Sequence, residues 1–285
     1  MALPDDATLI EAMTSAAIAA GDVILAARRA GLTVEKKSDA SPVTDADRAA
    51  EALIAARLAA IAPAVPMIGE EGVSEGRVPD LGDTFFLVDP LDGTREFVKG
   101  GNDFTVNIGV IRNGRPEIGI IYVPASAKLF GGVVGEGAWR TEVANGTPGP
   151  RRAMQVRPAP VGAIDVVASR SHRTPETDAF IRRFDVANLI NRGSSLKFCA
   201  VAEGKADLYP RMGTTMQWDT AAGEAILRAA GGRVVQLDGT PLFYGRGETP
   251  GPDAFRNPWF VATGGIEPLP GQAGTAPLPK MPPAF

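Results

Sequence analysis

One cysteine and one histidine occur in 285 residues, and these two scarcities close off much of the catalytic repertoire. The lone Cys199 excludes an internal disulfide. Its place in the apolar run Ser195-Leu196-Lys197-Phe198-Cys199-Ala200-Val201 reads as core rather than nucleophile. The lone His172 cannot build a multi-histidine zinc or di-iron site. Positive charge is not in excess either. With 29 Lys and Arg against 33 Asp and Glu, the net charge of -4 argues against general nucleic-acid or membrane-surface binding. No stretch reads as approaching the ~20 apolar residues of a membrane span. The opening Met1-Ala2-Leu3-Pro4-Asp5-Asp6 carries acid where a signal peptide carries Lys or Arg, so a cytoplasmic location is expected.

What remains is an ordinary globular composition, 45% hydrophobic and 22% charged, long enough for two cores. Carboxylate is the abundant ligand type. A hydrolytic site built from it uses oxygen donors, hence magnesium or manganese rather than zinc. The segment that could hold such a site is Phe85-Phe86-Leu87-Val88-Asp89-Pro90-Leu91-Asp92-Gly93-Thr94-Arg95-Glu96-Phe97. Its apolar start reads as a buried strand whose pairing should end at Pro90, which has no N–H to donate. Asp92-Gly93 turns the chain, and Thr94 is expected to cap a short helix. Two carboxylates at a strand end beside free N–H groups suit a hard cation next to a phosphate.

Along the chain, residues 5–30 are expected to form a helix ending before Gly31. A second runs over about 44–61, with Thr44 and Asp47 spaced as a capping box. Residues 69–76 read as a loop. Strands are expected at 104–111 and 117–123 around Asn113-Gly114, and at 129–134 and 138–141 around Gly135-Glu136-Gly137. The Pro-, Gly- and Arg-rich run 144–160 reads as the boundary between an N-terminal α+β domain (1–150) and a C-terminal α/β domain (151–263). In the second half, strands are expected at 164–168, 186–190, 206–209 and 233–236. Helices are expected at 175–184, 194–203 and 218–230. Residues 264–285 read as a poorly ordered Pro/Gly-rich tail.

Taken singly, these features have plain structural readings. Asp-Gly is a common turn, Asp219 opens a helix as a cap does, and Lys197 and Arg211 read as surface cations. Taken together, Gly69-Glu70-Glu71, Asp89-Pro90-Leu91-Asp92-Gly93-Thr94 and Trp218-Asp219-Thr220-Ala221-Ala222-Gly223 resemble, in order and spacing, the inositol monophosphatase superfamily of lithium-sensitive, magnesium-dependent phosphatases. Asp92-Gly93-Thr94-Arg95-Glu96-Phe97, Gly193-Ser194-Ser195-Leu196-Lys197-Phe198 and Asp207-Leu208-Tyr209-Pro210-Arg211 are more similar to its 3′(2′),5′-bisphosphate nucleotidase branch. The fold this resemblance implies is an α/β αβαβα sandwich with an antiparallel-rich N-terminal sheet.

The resemblance also implies roles. Glu70, Asp89, Asp92, Asp219 and the Leu91 carbonyl would hold two or three magnesium ions, with manganese as a substitute. Gly93 and Thr94 would bind the phosphate, and Asp47, Glu70 and Thr94 would serve catalysis. His172, Ser194, Lys197 and Arg211 would line the nucleotide side. The implied reaction removes the 3′-phosphate of 3′-phosphoadenosine 5′-phosphate, a by-product of sulfate assimilation, in a monomer or homodimer. Three alternatives stand beside it. One is an inositol or other sugar monophosphatase, against which Lys197 and Arg211 count. Another is a haloacid-dehalogenase reading of Asp45-Ala46-Asp47, which lacks the apolar strand that should precede it. The third is a metal- or nucleotide-binding regulatory protein without turnover.

Overall fold

Helix α1 (Asp6–Ala30) opens the chain, capped by Asp5, whose side chain accepts from the Thr8 N–H at 2.8 Å. The computed structural model describes residues 3–31, 34–36 and 42–269. Apolar residues at helical spacing give α1 one buried face, with Leu9, Ile10, Met13, Ala17, Ala20 and Ile24 along it. This helix corrects one expectation. Over an 18-residue window its mean hydropathy is 1.6, long and apolar enough by composition to cross a membrane. Here that apolar face packs on the second helix and the main sheet. A short pair, β1 (Val34–Lys36) and β2 (Pro42–Thr44), leads into α2 (Asp45–Ile61). The capping box read from Thr44 and Asp47 is present, with Asp47 accepting the Thr44 N–H at 2.7 Å.

The main sheet follows. Its elements are β3 (Met67–Gly69), the short helix α3 (Glu70–Ser74), β4 (Thr84–Asp92), the short helix α4 (Thr94–Val98), β5 (Thr105–Arg112) and β6 (Arg115–Val123). Then come β7 (Lys128–Val133), β8 (Gly137–Ala144), β9 (Thr147–Pro148) and β10 (Arg152–Met154). The order is β10-β8-β7-β6-β5-β4-β3 with β9 beside β8, and only β3–β4 is parallel. The expected loop at 69–76 therefore contains the end of β3 and all of α3. Successive residues of β4 face opposite layers: Phe86 and Val88 join the core under α1 and α2, Phe85 and Leu87 the core beyond. Asn113 (φ 50°) and Gly114 (φ 72°) make the two-residue hairpin read from their sequence.

The second half contributes β11 (Ile164–Ser169), α5 (Pro175–Ile181), β12 (Val186–Arg192), α6 (Leu196–Ala202), β13 (Leu208–Arg211), α7 (Gln217–Ala229), β14 (Arg233–Gln236) and β15 (Phe260–Thr263). Its sheet runs β12-β11-β13-β15-β14, with β15 antiparallel to both neighbours. The layers stack as α1/α2, main sheet, α6/α7, second sheet, α5, which is the expected αβαβα sandwich. The tail begins later than the sequence suggests. Gly265 bridges to Pro158, and Ile266 is buried against the outer core of the second sheet. Residues 270–285 lie outside the described residues.

One row of glycines sets the distance between the main sheet and α7. Gly109, Gly119 and Gly132 are cross-strand partners on β5, β6 and β7. A Cβ on Gly119 would lie 2.2 Å from the Ala222 carbonyl oxygen, and one on Gly132 would lie 2.9 Å from Ile226 Cα. The helix backbone thus rests directly on the sheet, which fixes the first turn of α7 over the end of β4. Gly119→Val is expected to destabilise the protein by about 1–3 kcal/mol through overpacking, whereas Gly82→Ala should cost under about 0.5 kcal/mol. Gly82 has open space around it. Urea denaturation of both variants checks this, and equal midpoints would contradict the close approach.

Candidate active site

Asp89 is the most deeply placed acid of the site, 1% exposed, near the end of β4. Pairing with β5 runs as far as Asp89 opposite Asn107, breaks register, and resumes at Asp92 opposite Thr105. Pro90 falls inside that break, where no ladder bond is required of it. The strand therefore continues past the point at which the sequence ends it. The break turns Asp89, the Leu91 carbonyl and Asp92 into one cleft, and the Leu91 N–H donates to Asp89 Oδ1 at 3.0 Å.

Gly93 then takes φ 92°, and a Cβ there would lie 2.7 Å from the Asp103 carbonyl oxygen, so only glycine fits. Gly93, not Thr94, is the N-cap of α4. Thr94 is the first helical residue, and its hydroxyl has other partners: the Leu91 carbonyl at 3.0 Å and Asp47 Oδ1 at 3.3 Å. Asp47 is itself fixed by the Thr44 N–H and by the Thr44 hydroxyl at 2.6 Å. Arg28 braces the far end of α4. It donates to the Gly101 carbonyl at 3.0 Å and lies 5.7 Å from the ring centroids of Phe97 and Phe104.

Glu70 enters from α3, which stands on a residue that sequence reasoning missed. Glu51 of α2 is buried, and its carboxylate accepts from the Glu71 and Gly72 N–H groups at 2.8 and 2.7 Å. Asp219 enters from the first turn of α7, accepting from the Met216 N–H at 2.8 Å. Ser195, also missed, donates to Asp92 Oδ2 or to the Asp219 carbonyl, each at 2.9 Å, and accepts from Asn107 Nδ2 at 2.8 Å. A serine next to an expected substrate residue carries no signal of its own in sequence.

The opposite wall is cationic. Lys197 is buried, donates to the Ser194 carbonyl at 2.5 Å, and lies 5.3 Å from the Tyr209 ring centroid. Burial pulls its pKa down to about 8, against the pull of Asp92. Arg211, 7% exposed, donates to the Thr214 carbonyl at 2.6 Å, while its Nε is buried without a partner. No carboxylate lies within 4 Å of Arg211 among the described residues. Neither cation is the surface charge of its plain reading. His172 stands at the mouth, with Nε2 3.3 Å from Arg95 Nη1. Burial of its inner side, then Arg211 and Arg95, push its pKa down to about 4, so the neutral ring can accept from Arg95. Ser194 holds φ 45°, rare for a residue with a Cβ, and its Oγ accepts from Thr105 at 3.2 Å.

A single cleft of about 640 Å³ is thus lined by Glu70, Asp89, Leu91, Asp92, Gly93, Thr94, His172, Ser194, Lys197, Arg211 and Asp219. Of the expected site residues only Asp47 lies outside its wall, behind Thr94. Among the described residues, no three acidic, His or Cys side chains are drawn as close together as a bound ion would hold them. The donor chemistry nonetheless suits a hard divalent cation. All donors are oxygen, and acidic charge outweighs the one ammonium beside it. Burial first, then Glu70, Asp92 and Asp219, raise the Asp89 pKa well above its usual value. Burial, then Asp92 and Glu70, push Asp219 up to about 8. Such crowding is the charge deficit that a cation relieves.

Comparison with known proteins bears on the chain as a whole. The inositol monophosphatase family model matches residues 5–257. The 3′(2′),5′-bisphosphate nucleotidase CysQ of Escherichia coli (strain K12) is 42% identical over 229 residues, covering 80% of this chain and 88% of that protein. CysQ of Salmonella typhimurium is 40% identical over 257 residues, covering 90% and 99%. The crystal structure of CysQ from Bacteroides thetaiotaomicron, described as a bacterial member of the inositol monophosphatase family, superposes with a TM-score of 0.73 at 39% identity. It covers 90% of this chain and 97% of that one. The chain belongs to the inositol monophosphatase family.

Proposed function

We propose that this protein is a magnesium-dependent 3′(2′),5′-bisphosphate nucleotidase that removes the 3′-phosphate of 3′-phosphoadenosine 5′-phosphate, leaving AMP. Members of the family are metal-dependent phosphatases, typically with magnesium, and CysQ relatives are named for this reaction. The observation that carries the reading is the pairing of two opposite charge sets in one cleft. Three carboxylates, Glu70, Asp92 and Asp219, crowd around Asp89, and across from them Arg211 is buried with no carboxylate partner among the described residues. A substrate with one phosphate to cleave and another to hold answers both. An inositol monophosphate, with one phosphate, leaves Arg211 unanswered.

Glu70, Asp89, Asp92, Asp219 and the Leu91 carbonyl would hold the magnesium ions, and manganese shares their oxygen preference. When bound, the ions polarise the phosphoryl group and lower the pKa of a water. The chain supplies the rest. N–H groups of Gly93 and Thr94, at the start of α4, donate to the phosphoryl oxygens. The Thr94 hydroxyl has one proton and two acceptors. With its proton aimed at Asp47, the hydroxyl turns a lone pair to the attacking water, and as it takes a proton from that water it passes its own to the Asp47 carboxylate. Arg211 and Lys197 hold the 5′-phosphate, the first as a fork and the second as a point charge. Ser194 and neutral His172 border the nucleoside.

Phosphate release across 3′-phosphoadenosine 5′-phosphate, adenosine 3′-monophosphate and inositol 1-phosphate tests the assignment. The bisphosphate should be the preferred substrate. Arg211→Glu should lower its kcat/KM by at least the roughly 1.5–3 kcal/mol of a charge-assisted bond, and that of the monophosphate far less. Equal losses on both would remove Arg211 from the 5′-phosphate.

Metal binding has its own readout in thermal unfolding. Carboxylates whose folded pKa is raised bind protons more tightly in the folded than in the unfolded chain. Metal-free protein should therefore lose stability as pH rises from the ordinary carboxylate range to about 8, the value to which Asp219 is raised. Stabilisation by magnesium should grow across the same window, because the ion needs the deprotonated acids. Asp89→Asn should abolish both the magnesium-induced rise in Tm and turnover. A Tm independent of magnesium at pH 8 would contradict the assignment.

A further inference from the structure

Ser195 is 2% exposed, and its side chain touches both halves of the carboxylate cluster. Its hydroxyl meets Asp92, from the register break of β4, and the backbone carbonyl of Asp219, from the first turn of α7, each at 2.9 Å. These partners stand 103 and 24 residues away in sequence. Asn107 donates to the same oxygen at 2.8 Å, and its own position is set by pairing opposite Asp89 on β5. A hydroxyl has one proton. With the Asn107 amide occupying a lone pair, that proton can point only at the two remaining acceptors, and an ionised Asp92 is the stronger of them.

We infer that Ser195, oriented by Asn107, is a positioning residue that fixes the Asp92 carboxylate against α7 and so sets the affinity of the cluster for its divalent cation. The inference rests on the magnesium reading above and adds to it a residue that holds no ion itself. Asp92 is the last residue of β4 and stands immediately after the register break, where pairing has only just resumed opposite Thr105, so contacts from outside the strand decide where its side chain rests. Asp219 depends on where α7 sits, and the Ser195 hydroxyl lies against that first turn. Removing the hydroxyl takes from Asp92 its 2.9 Å side-chain anchor and leaves it the Ser195 backbone and a longer 3.5 Å contact with the Asn107 amide, whereas Glu70 and Asp89 keep their own supports. The loss therefore falls on ion affinity rather than on the chemical step.

Magnesium titration followed by calorimetry and by Tm, beside phosphate release at saturating substrate, tests this. Ser195→Ala should raise the magnesium concentration for half-saturation roughly tenfold, in the range usual for partners of metal ligands, with kcat at saturating magnesium little changed. Ser195→Cys, close in volume with a weak donor, should fall between, and it carries the test should the alanine variant fold poorly. Asn107→Ala should shift half-saturation in the same direction, and the double variant should be no worse than the more impaired single. A general structural role would lower the Tm of metal-free protein while leaving magnesium half-saturation where it was. That result, with the wild type still binding magnesium, overturns the inference alone. A wild type that binds no magnesium overturns the metal reading and this inference with it.

Discussion

Like charge held at close quarters away from water is the constraint around which the structure is organised. Asp89, Asp92 and Asp219 are each raised in pKa, with burial as the first cause of all three and neighbouring acids adding for Asp89 and Asp219. A chain left to itself would swing such groups apart into solvent. Here each is tied at its base: Asp89 by the Leu91 N–H, Asp92 by Ser195, Asp219 by the Met216 N–H, and the Glu70 segment by Glu51. Buried carboxylates are retained where something of opposite charge compensates them. The single buried ammonium, Lys197, is not enough for four.

The αβαβα layering makes this crowding possible. Main-sheet strands bring Asp89 and Asp92 to one end, and the glycine row lets α7 lie on the sheet closely enough to set Asp219 above them. The second sheet, through β13, puts Arg211 on the far wall. Asp89 and Asp92 come from the main sheet and Arg211 from the second, with Asp219 on α7 and Lys197 on α6 between them. Charge separation across the cleft is thus a property of the fold, and it suits the bisphosphate substrate proposed above.

Much of this was legible in the chain itself. The Asp-x-x-Asp-Gly turn, the Thr44–Asp47 box, the Asn113-Gly114 hairpin and strand 233–236 all rest on local chemistry, and local chemistry is what sequence records. Failures occurred where tertiary contacts decide. Pro90 did not end β4, because a register break removes the need for its missing N–H. Thr94 did not cap α4, because Gly93 at φ 92° holds the cap position and Thr94 is already the first helical residue. Strand β15 has four buried residues, no alternation and a Pro/Gly-rich approach, so it is visible only as the partner of β13 and β14. Much of the apolar character of α1 is carried by alanines, whose small side chains do not form a conspicuous run of large hydrophobic residues. The expected site residues came through resemblance to a family, and the cleft gathers all but one of them. Glu51, Asn107 and Ser195 act through other residues, and nothing in their own neighbourhoods announces it.

A crystal soaked in manganese, with anomalous scattering recorded at its absorption edge, is the most direct examination of the central claim. The account predicts anomalous peaks inside the cleft, within coordinating distance of Asp89, Asp92, Glu70, Asp219 and the Leu91 carbonyl, with Arg211 facing them across the cleft and touching no ion. Peaks confined to surface acids, with Asp89 unligated and the cleft empty at saturating manganese, would contradict it.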